Sequence, residues 1–265
     1  MRMGPIVEKR KQKPGLSLAW GTDIGSVRSR NEDSVFVQAP PRAQLESHGT
    51  LLIVADGMGG PPAGDMASAL AVENIPASYY DSKLEIDGDP APLLRRAFND
   101  ANAAILKAAN AKPGRFGMGS TCTALLLRGE KFWLAHVGDS RAYLLREGRL
   151  QQLSRDHNVL ERMRAEGDLL DDDHRPPGSA LLTAALGTDD RPGADYSQRP
   201  RALKSGDRLL ICSDGLYGPI EEKDMKRLMG EGRPERAVKR LIRAALDAGG
   251  PDNISVIIAH WELTS

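Results

Sequence analysis

The sequence predicts an α+β domain, and three observations carry that reading. Short apolar runs recur and end at tight turns. Segments with helical spacing of apolar residues stand between groups of these runs. The turns joining successive runs are too short for helical crossovers, so the strands pair antiparallel. Runs of strands separated by long antiparallel helices then place helices on sheet faces.

In chain order, residues 1–15 read as a disordered basic arm, with Lys9, Arg10, Lys11 and Lys13 ahead of Pro14-Gly15. From residue 16 to 263 the pattern is that of a single domain. Leu16 to Asp23 alternates weakly and opens as a strand. Thr50 to Ala55 is a buried strand ending at Asp56, and residues 64–79 form a helix after the glycines that follow. Leu94, Ala97, Phe98, Ala101, Ile105 and Ala108 predict an amphipathic helix over 91–110. Thr121 to Leu127, Phe132 to Val137 and Ala142 to Leu145 read as a strand series, with hairpin turns at 128–130 and 146–148. The segment 155–180 is the least regular. It holds a short helix (158–166), the acidic run Asp171-Asp172-Asp173 and Pro176-Pro177-Gly178, the composition of a flap over a site. Arg208 to Ser213 and Ile254 to His260 are two further buried strands. Between them, Ala237, Val238, Leu241, Ile242, Ala245 and Leu246 predict a helix closed by Gly249-Gly250.

Composition narrows the function classes. Lys+Arg and Asp+Glu both number 36 in 265 residues, so nothing points to nucleic acid as a partner. There is no apolar leader, and no apolar run reaches the ~18 residues of a membrane span; a cytoplasmic location is the expectation. Cys122 and Cys212 lie in apolar runs and read as buried thiols rather than a disulfide or zinc pair.

The chemistry lies in five acidic motifs, several directly after an apolar run: Asn31-Glu32-Asp33, Asp56-Gly57-Met58-Gly59-Gly60, Gly138-Asp139-Ser140-Arg141, Ser213-Asp214-Gly215 and Asp252-Asn253. Carboxylates at strand ends present oxygen to hard cations. No His-x-His, His-x3-His or Cys-x2-Cys pair occurs, so Mg²⁺ or Mn²⁺ is favoured over zinc. Two ions need about four carboxylates for charge balance, and Glu32, Asp56, Asp214 and Asp252 supply four. Two ions about 4 Å apart suit in-line displacement at phosphorus. Arg28, five residues before Asp33, is the natural cation for the phosphoryl oxygens. Glu32 and Asp33 are adjacent and cannot both point the same way on a strand; one would ligate directly and the other through water. Taken singly, a turn aspartate is more often a cap than a ligand, Arg28 could be a surface arginine, and Arg141 could simply pair with Asp139. His157 is a candidate acid or a structural hydrogen bonder, and Met58 reads as packing.

These residues stand in stretches that resemble the metal-dependent type 2C (PPM) serine/threonine protein phosphatases, bacterial branch. The stretches are TDIGSVRSRNEDS at 22–34, LLIVADGMGG at 51–60 with Gly64 and Ala67-Ser68, GMGSTCTALLL at 117–127, LAHVGDSRAYLLREGRLQQLSRDHN at 134–158, LLTAALG at 181–187, GDRLLICSDGL at 206–216 and GGPDNISVII at 249–258. They keep the family's order across essentially all of 16–262. The resemblance implies two packed antiparallel sheets flanked by antiparallel helix pairs, an αββα sandwich. It implies that Asp56 bridges two catalytic ions. The Gly57 carbonyl and Glu32 or Asp33 would complete one ion, and Asp214 and Asp252 would hold the other. Asp139 with Asp214 matches a third, weaker position, and Arg28 matches the phosphate-binding arginine. A metal-bridging hydroxide would attack phosphorus directly, with no phosphoenzyme. The implied partners are phosphoproteins and a cognate bacterial Ser/Thr kinase that the enzyme opposes, and the flap would influence substrate choice.

Three positions depart from the pattern. Met58 stands where animal members carry a histidine proposed as general acid, and a thioether cannot donate a proton. Ala184 replaces a frequent arginine, and Ser120 a common threonine. None removes a ligand. A silent sensor with the same fold is the alternative, disfavoured because every implied ligand is present; a small-metabolite phosphatase would share the site.

Overall fold

The fold is taken from a computed structural model, which describes residues 6–12, 15–38, 42–59, 63–81, 88–168 and 176–263. Along the chain come β1 (Ile6–Gln12), β2 (Leu16–Asp23), β3 (Asp33–Gln38), α1 (Arg42–His48), β4 (Thr50–Met58), α2 (Ala63–Tyr79) and α3 (Ala91–Asn110). A 3₁₀ turn at Pro113–Arg115 leads into β5 (Gly119–Ser120), β6 (Cys122–Arg128), β7 (Lys131–Val137), β8 (Arg141–Arg146) and β9 (Arg149–Gln152). Then follow α4 (Val159–Glu166), β10 (Asp195–Tyr196), β11 (Arg201–Ala202), β12 (Arg208–Cys212), α5 (Asp214–Tyr217), α6 (Glu222–Gly230), α7 (Pro234–Asp247) and β13 (Ile254–Trp261).

Among the described residues the strands form two antiparallel sheets. One runs β1-β2-β13-β12-β8-β9. The other runs β10-β7-β6-β4-β3, with β11 also on β7 and β5 on the end of β4. The period-2 alternation of buried strands assigns each face. On β4, Leu51, Ile53 and Ala55 pack against Ala67, Ala71 and Ile75 of α2 and Leu94, Phe98 and Ile105 of α3. Leu52 and Val54, one residue out of phase, meet Leu18, Leu209, Ile211 and Ile257 in the core between the sheets. On the far side Leu210, Val256 and Ile258 pack against Val238, Leu241 and Ile242 of α7. The result is the four-layer αββα sandwich, with three apolar layers rather than one core. Leu241, fully buried, contributes about 1.5–3 kcal/mol by transfer from water. Cys122 and Cys212 are free buried thiols in two different layers.

Two expectations need correction. Within the basic arm read over 1–15, residues 6–12 pair with β2 along its whole length, from Ile6 opposite Thr22 to Gln12 opposite Leu16. An outermost strand is held by backbone hydrogen bonds and needs no apolar run. Second, the strand series from 121 to 145 is not continuous in space. β6 and β7 form a hairpin in one sheet, whereas β8 joins β12 and β9 in the other. The chain changes sheets at Gly138-Asp139-Ser140, helped by the left-handed backbone of Gly138 (φ 99°). The two hairpin turns occur where expected, at Gly129-Glu130 and Glu147-Gly148. Within the irregular 155–180 stretch α4 forms, capped by Asn158, whose side chain accepts from the Glu161 N–H. The Asp171–Asp173 run lies outside the described residues.

Candidate metal centre

Every acidic motif lies where the chain enters, leaves or crosses between sheets, and all five converge at one end of the sandwich. Arg28, Glu32, Asp56, Gly57, Asp139, Asp214 and Asp252 line one cleft of about 550 Å³, together with Met58, Gly59, Thr121, Ala180, Leu181, Leu182 and Asn253. Asp33 lies beneath that lining and is buried.

The backbone around these carboxylates is tightly fixed. Asp33 and Asp56 stand directly opposite each other on β3 and β4, an unfavourable position for like charges. The Asp56 N–H donates to Thr121 Oγ1 at 3.0 Å, and its carbonyl accepts from the Thr121 N–H and the Ser120 hydroxyl. Thr121 Oγ1 also shares a hydrogen bond with Ser140 Oγ at 2.7 Å, beside Asp139. The Gly57 N–H donates to the Glu32 carbonyl, and a Cβ on Gly57 would lie 1.9 Å from the Gly64 carbonyl oxygen. Only glycine permits that approach. From the other sheet, the Ser213 hydroxyl donates to Asp33 Oδ2 at 2.7 Å. Asn253 accepts from the Glu32 N–H and donates to the carbonyls of Ile24 and Arg30, fastening the loop that carries Arg28.

The electrostatics are those of uncompensated negative charge. Burial, then repulsion from Asp33, Asp214, Asp139 and Asp252, holds the Asp56 carboxyl well above the carboxylate range. Burial pushes Asp33 up to about 7, against hydrogen bonds from Ser213 and Ser255, with Asp214 and Asp252 adding to the rise. Burial and Asp214 push Asp139 up to about 7. Glu32 and Asp214 are raised as well, chiefly by burial. Buried carboxylates that repel one another are costly unless protons or cations sit between them.

The residues fit divalent cations by a separate test. Glu32 Oε1, Asp33 Oδ1 and Asp214 Oδ1 are buried and lack any hydrogen-bond partner, and a buried unpaired carboxylate oxygen calls for a ligand. The donor set is oxygen throughout, which suits Mg²⁺ or Mn²⁺. Among the described residues no three acidic, imidazole or thiol side chains already close into a cage. Mg²⁺-type sites need none, because such ions keep several waters and take one or two carboxylates each.

Other expectations resolve structurally. Arg141 does not pair with Asp139; its Nε and Nη2 reach Asp156 at 2.6–3.0 Å, and its guanidinium lies over the Tyr217 ring at 3.8 Å. Tyr217 in turn donates to the Asp139 carbonyl. His157 faces away from the cleft. Its Nδ1 accepts from the Gly138 N–H at 3.4 Å, so the proton is on Nε2, 3.2 Å from Asp195. It supports the crossing turn and is no acid at this site. Thr121, Ser213 and the clamping role of Asn253 were missed in the sequence, although each lies beside or across from a recognised aspartate; polar residues at buried strand ends were the available signal.

The protein phosphatase 2C family model matches residues 21–253. The chain belongs to that family. Within the family it is 36% identical to the serine/threonine protein phosphatase PstP of Mycobacterium tuberculosis over 245 residues, 92% of this chain but 45% of PstP. It therefore spans about half the length of that relative. A crystal structure of the M. tuberculosis phosphatase superposes with a TM-score of 0.82, covering 94% of this chain and 99% of the solved one. A PstP catalytic-domain structure in complex with two manganese ions, 34% identical, gives 0.78 over the same shares. The serine/threonine phosphatase stp of Listeria monocytogenes is 31% identical over 92% of this chain and 95% of its own length. No helix among the described residues is long and apolar enough to cross a membrane.

Proposed function

We propose that this chain is a Mn²⁺- or Mg²⁺-dependent phosphatase of phosphoserine and phosphothreonine proteins. One observation carries the reading: mutually repelling carboxylates from both sheets line a cleft that also holds Arg28, and two of them, Glu32 and Asp214, with Asp33 just beneath, keep an unpartnered buried oxygen. The family's metal dependence and a relative that binds two manganese ions support it.

In this reading Asp56 would serve both ions, the Gly57 carbonyl with Glu32 or Asp33 would complete the site of one, and Asp214 with Asp252 would hold the other. Glu32 is the direct member of its pair because it lines the cleft, while Asp33 is tied to Ser213 below it. Asp139, with Asp214, belongs to a third, weaker position. When bound, the ions activate water and neutralise phosphoryl charge. Arg28 receives the phosphoryl oxygens. Thr121 and Asn253 hold the backbones that carry Asp56 and Glu32. The family resemblance implies transfer of the phosphoryl group directly to water with no phosphoenzyme, and this reading adopts it. Met58, a thioether in the cleft lining, supplies no proton to the leaving oxygen. The segment 155–180 is the flap of this reading, and Ala180, with Leu181 and Leu182 directly after it, lines one wall of the cleft. In this reading the enzyme works in the cytoplasm and opposes a Ser/Thr kinase; the relatives' names support the serine/threonine phosphatase activity itself.

The test is hydrolysis of p-nitrophenyl phosphate and a phosphothreonine peptide with Mn²⁺, expected to vanish with EDTA. Normal Mn²⁺ binding without turnover of either substrate would make the chain a silent module. Faster turnover of sugar phosphates than of phosphopeptides would make it a metabolite phosphatase.

A further inference from the structure

Asp252 differs from three neighbouring carboxylates. Glu32, Asp33 and Asp214 each keep one buried oxygen without a partner. Both oxygens of Asp252 are engaged by the protein itself: Oδ2 accepts from Arg28 Nη2 at 2.6 Å, and Oδ1 from the Asn253 N–H at 2.8 Å. Arg28 is the side chain assigned above to the substrate phosphate, and Asp252 is assigned to a cation. The contact between them joins the two binding functions of the cleft. Arg28 is half exposed, with side-chain relative exposure of 50%, so its guanidinium can move without disturbing a core.

We propose that Arg28 is a stand-in cation at Asp252, and that cation loading hands it from Asp252 to the phosphate of the substrate. The inference rests on the reading of Asp252 as a ligand. A divalent ion at Asp252 competes for Oδ2 and repels the guanidinium. Arg28, released, has the incoming phosphate as the anion left to satisfy. Cation and substrate phosphate then bind with positive coupling, and by linkage the phosphate tightens the cation as much as the cation tightens the phosphate. The preferred order is cation first. An enzyme without its ions keeps its phosphate-binding arginine occupied and so does not sequester phosphoproteins that it cannot hydrolyse.

The competing explanation is field alone: any positive charge near the cleft would oppose a cation. Arg30 separates the two. It is on the same loop and carries the same charge, but its carboxylate contact is Asp65 at 3.4 Å, not Asp252. The experiment is calorimetric titration of the metal-stripped full chain with Mn²⁺ at 0.15 M salt, where fields beyond about 8 Å are screened. Asp252→Asn identifies the ion that Asp252 holds, by weakening it at least about tenfold. For that ion, Arg28→Gln is expected to tighten binding about two- to fivefold, the range of a half-exposed ion pair. Arg30→Gln is expected to stay within about 1.5-fold of the parent. Unchanged or weaker Mn²⁺ binding in Arg28→Gln overturns the proposal, and so does equal tightening in Arg30→Gln. If Asp252→Asn leaves Mn²⁺ binding untouched, the ligand assignment itself fails, and the exchange fails with it.

Discussion

Two kinds of low-exposure carboxylate occur in this molecule within a few strands of each other. Asp156 and Asp207 are buried and neutralised: Asp156 by Arg141 and Gln152, Asp207 by the Arg146 fork and the Lys204 N–H. Asp33, Asp56 and Asp214 are surrounded by one another and by other acids. The first kind spends its charge on holding strands together. The second kind stores unfavourable charge that only a cation or proton relieves. Burial alone does not distinguish a structural carboxylate from a functional one; the identity of its neighbours does.

The largest effect that would break this contrast is on activity. Asp56→Asn and Asp214→Asn are expected to lower kcat for p-nitrophenyl phosphate by about 10³-fold, or ~4 kcal/mol, while raising the melting temperature of the metal-free protein. A drop in that melting temperature would place them with Asp156. Conversely, Asp156→Asn is expected to cost about 3 kcal/mol in urea unfolding, since it strands Arg141 without its partner, and to leave Mn²⁺ affinity intact. Next in size, saturating Mn²⁺ should stabilise the parent by ~2.7 kcal/mol at one hundred times Kd, and should do far less for Asp214→Asn.

The smallest effect is in pH. Asp33 and Asp139 titrate near 7 when folded and near 3.9 when unfolded. Between about pH 4 and 7 the folded state holds protons that the unfolded chain has released. Stability of the metal-free protein therefore falls as pH rises through this window, by up to ~1.4 kcal/mol per unit for each group. His136, lowered to about 4 chiefly by burial, contributes the opposite slope between about 4 and 6.5. That slope is common to both forms of the protein, so the comparison is of melting curves in EDTA and in Mn²⁺. The gap between them should widen from pH 5 to 7.5; a constant gap would remove the cleft carboxylates from the account.

The legibility of the chain follows the same division. Apolar runs located β4, β6, β7, β8, β12 and β13, weak alternation located β2, and helical spacing located α3 and α7, because apolar burial leaves such traces. β1 left none, since backbone pairing at an edge is indifferent to side-chain polarity. The change of sheets at Gly138-Asp139-Ser140 was invisible because a turn between two strands reads alike whether they pair with each other or part company. The aspartates were legible through their glycine and asparagine neighbours. Their supports, Thr121 and Ser213, were not, because a hydroxyl that bonds across 65 or 180 residues has no local signature.

The sheet crossing has a mechanical consequence. Glu32, Asp33 and Asp56 belong to the β3–β4 side, and Asp214 and Asp252 flank β12 and β13. In the proposed reading, an ion shared between the two groups would be a rivet through both halves of the sandwich. Slippage of one sheet past the other changes the spacing of its ligands. Amide exchange at the cleft ends of β4 and β13 should slow together when Mn²⁺ is added, although neither strand pairs with the other. A cavity made at Ile257 or Val54, both in the layer between the sheets, should loosen the metal without touching it.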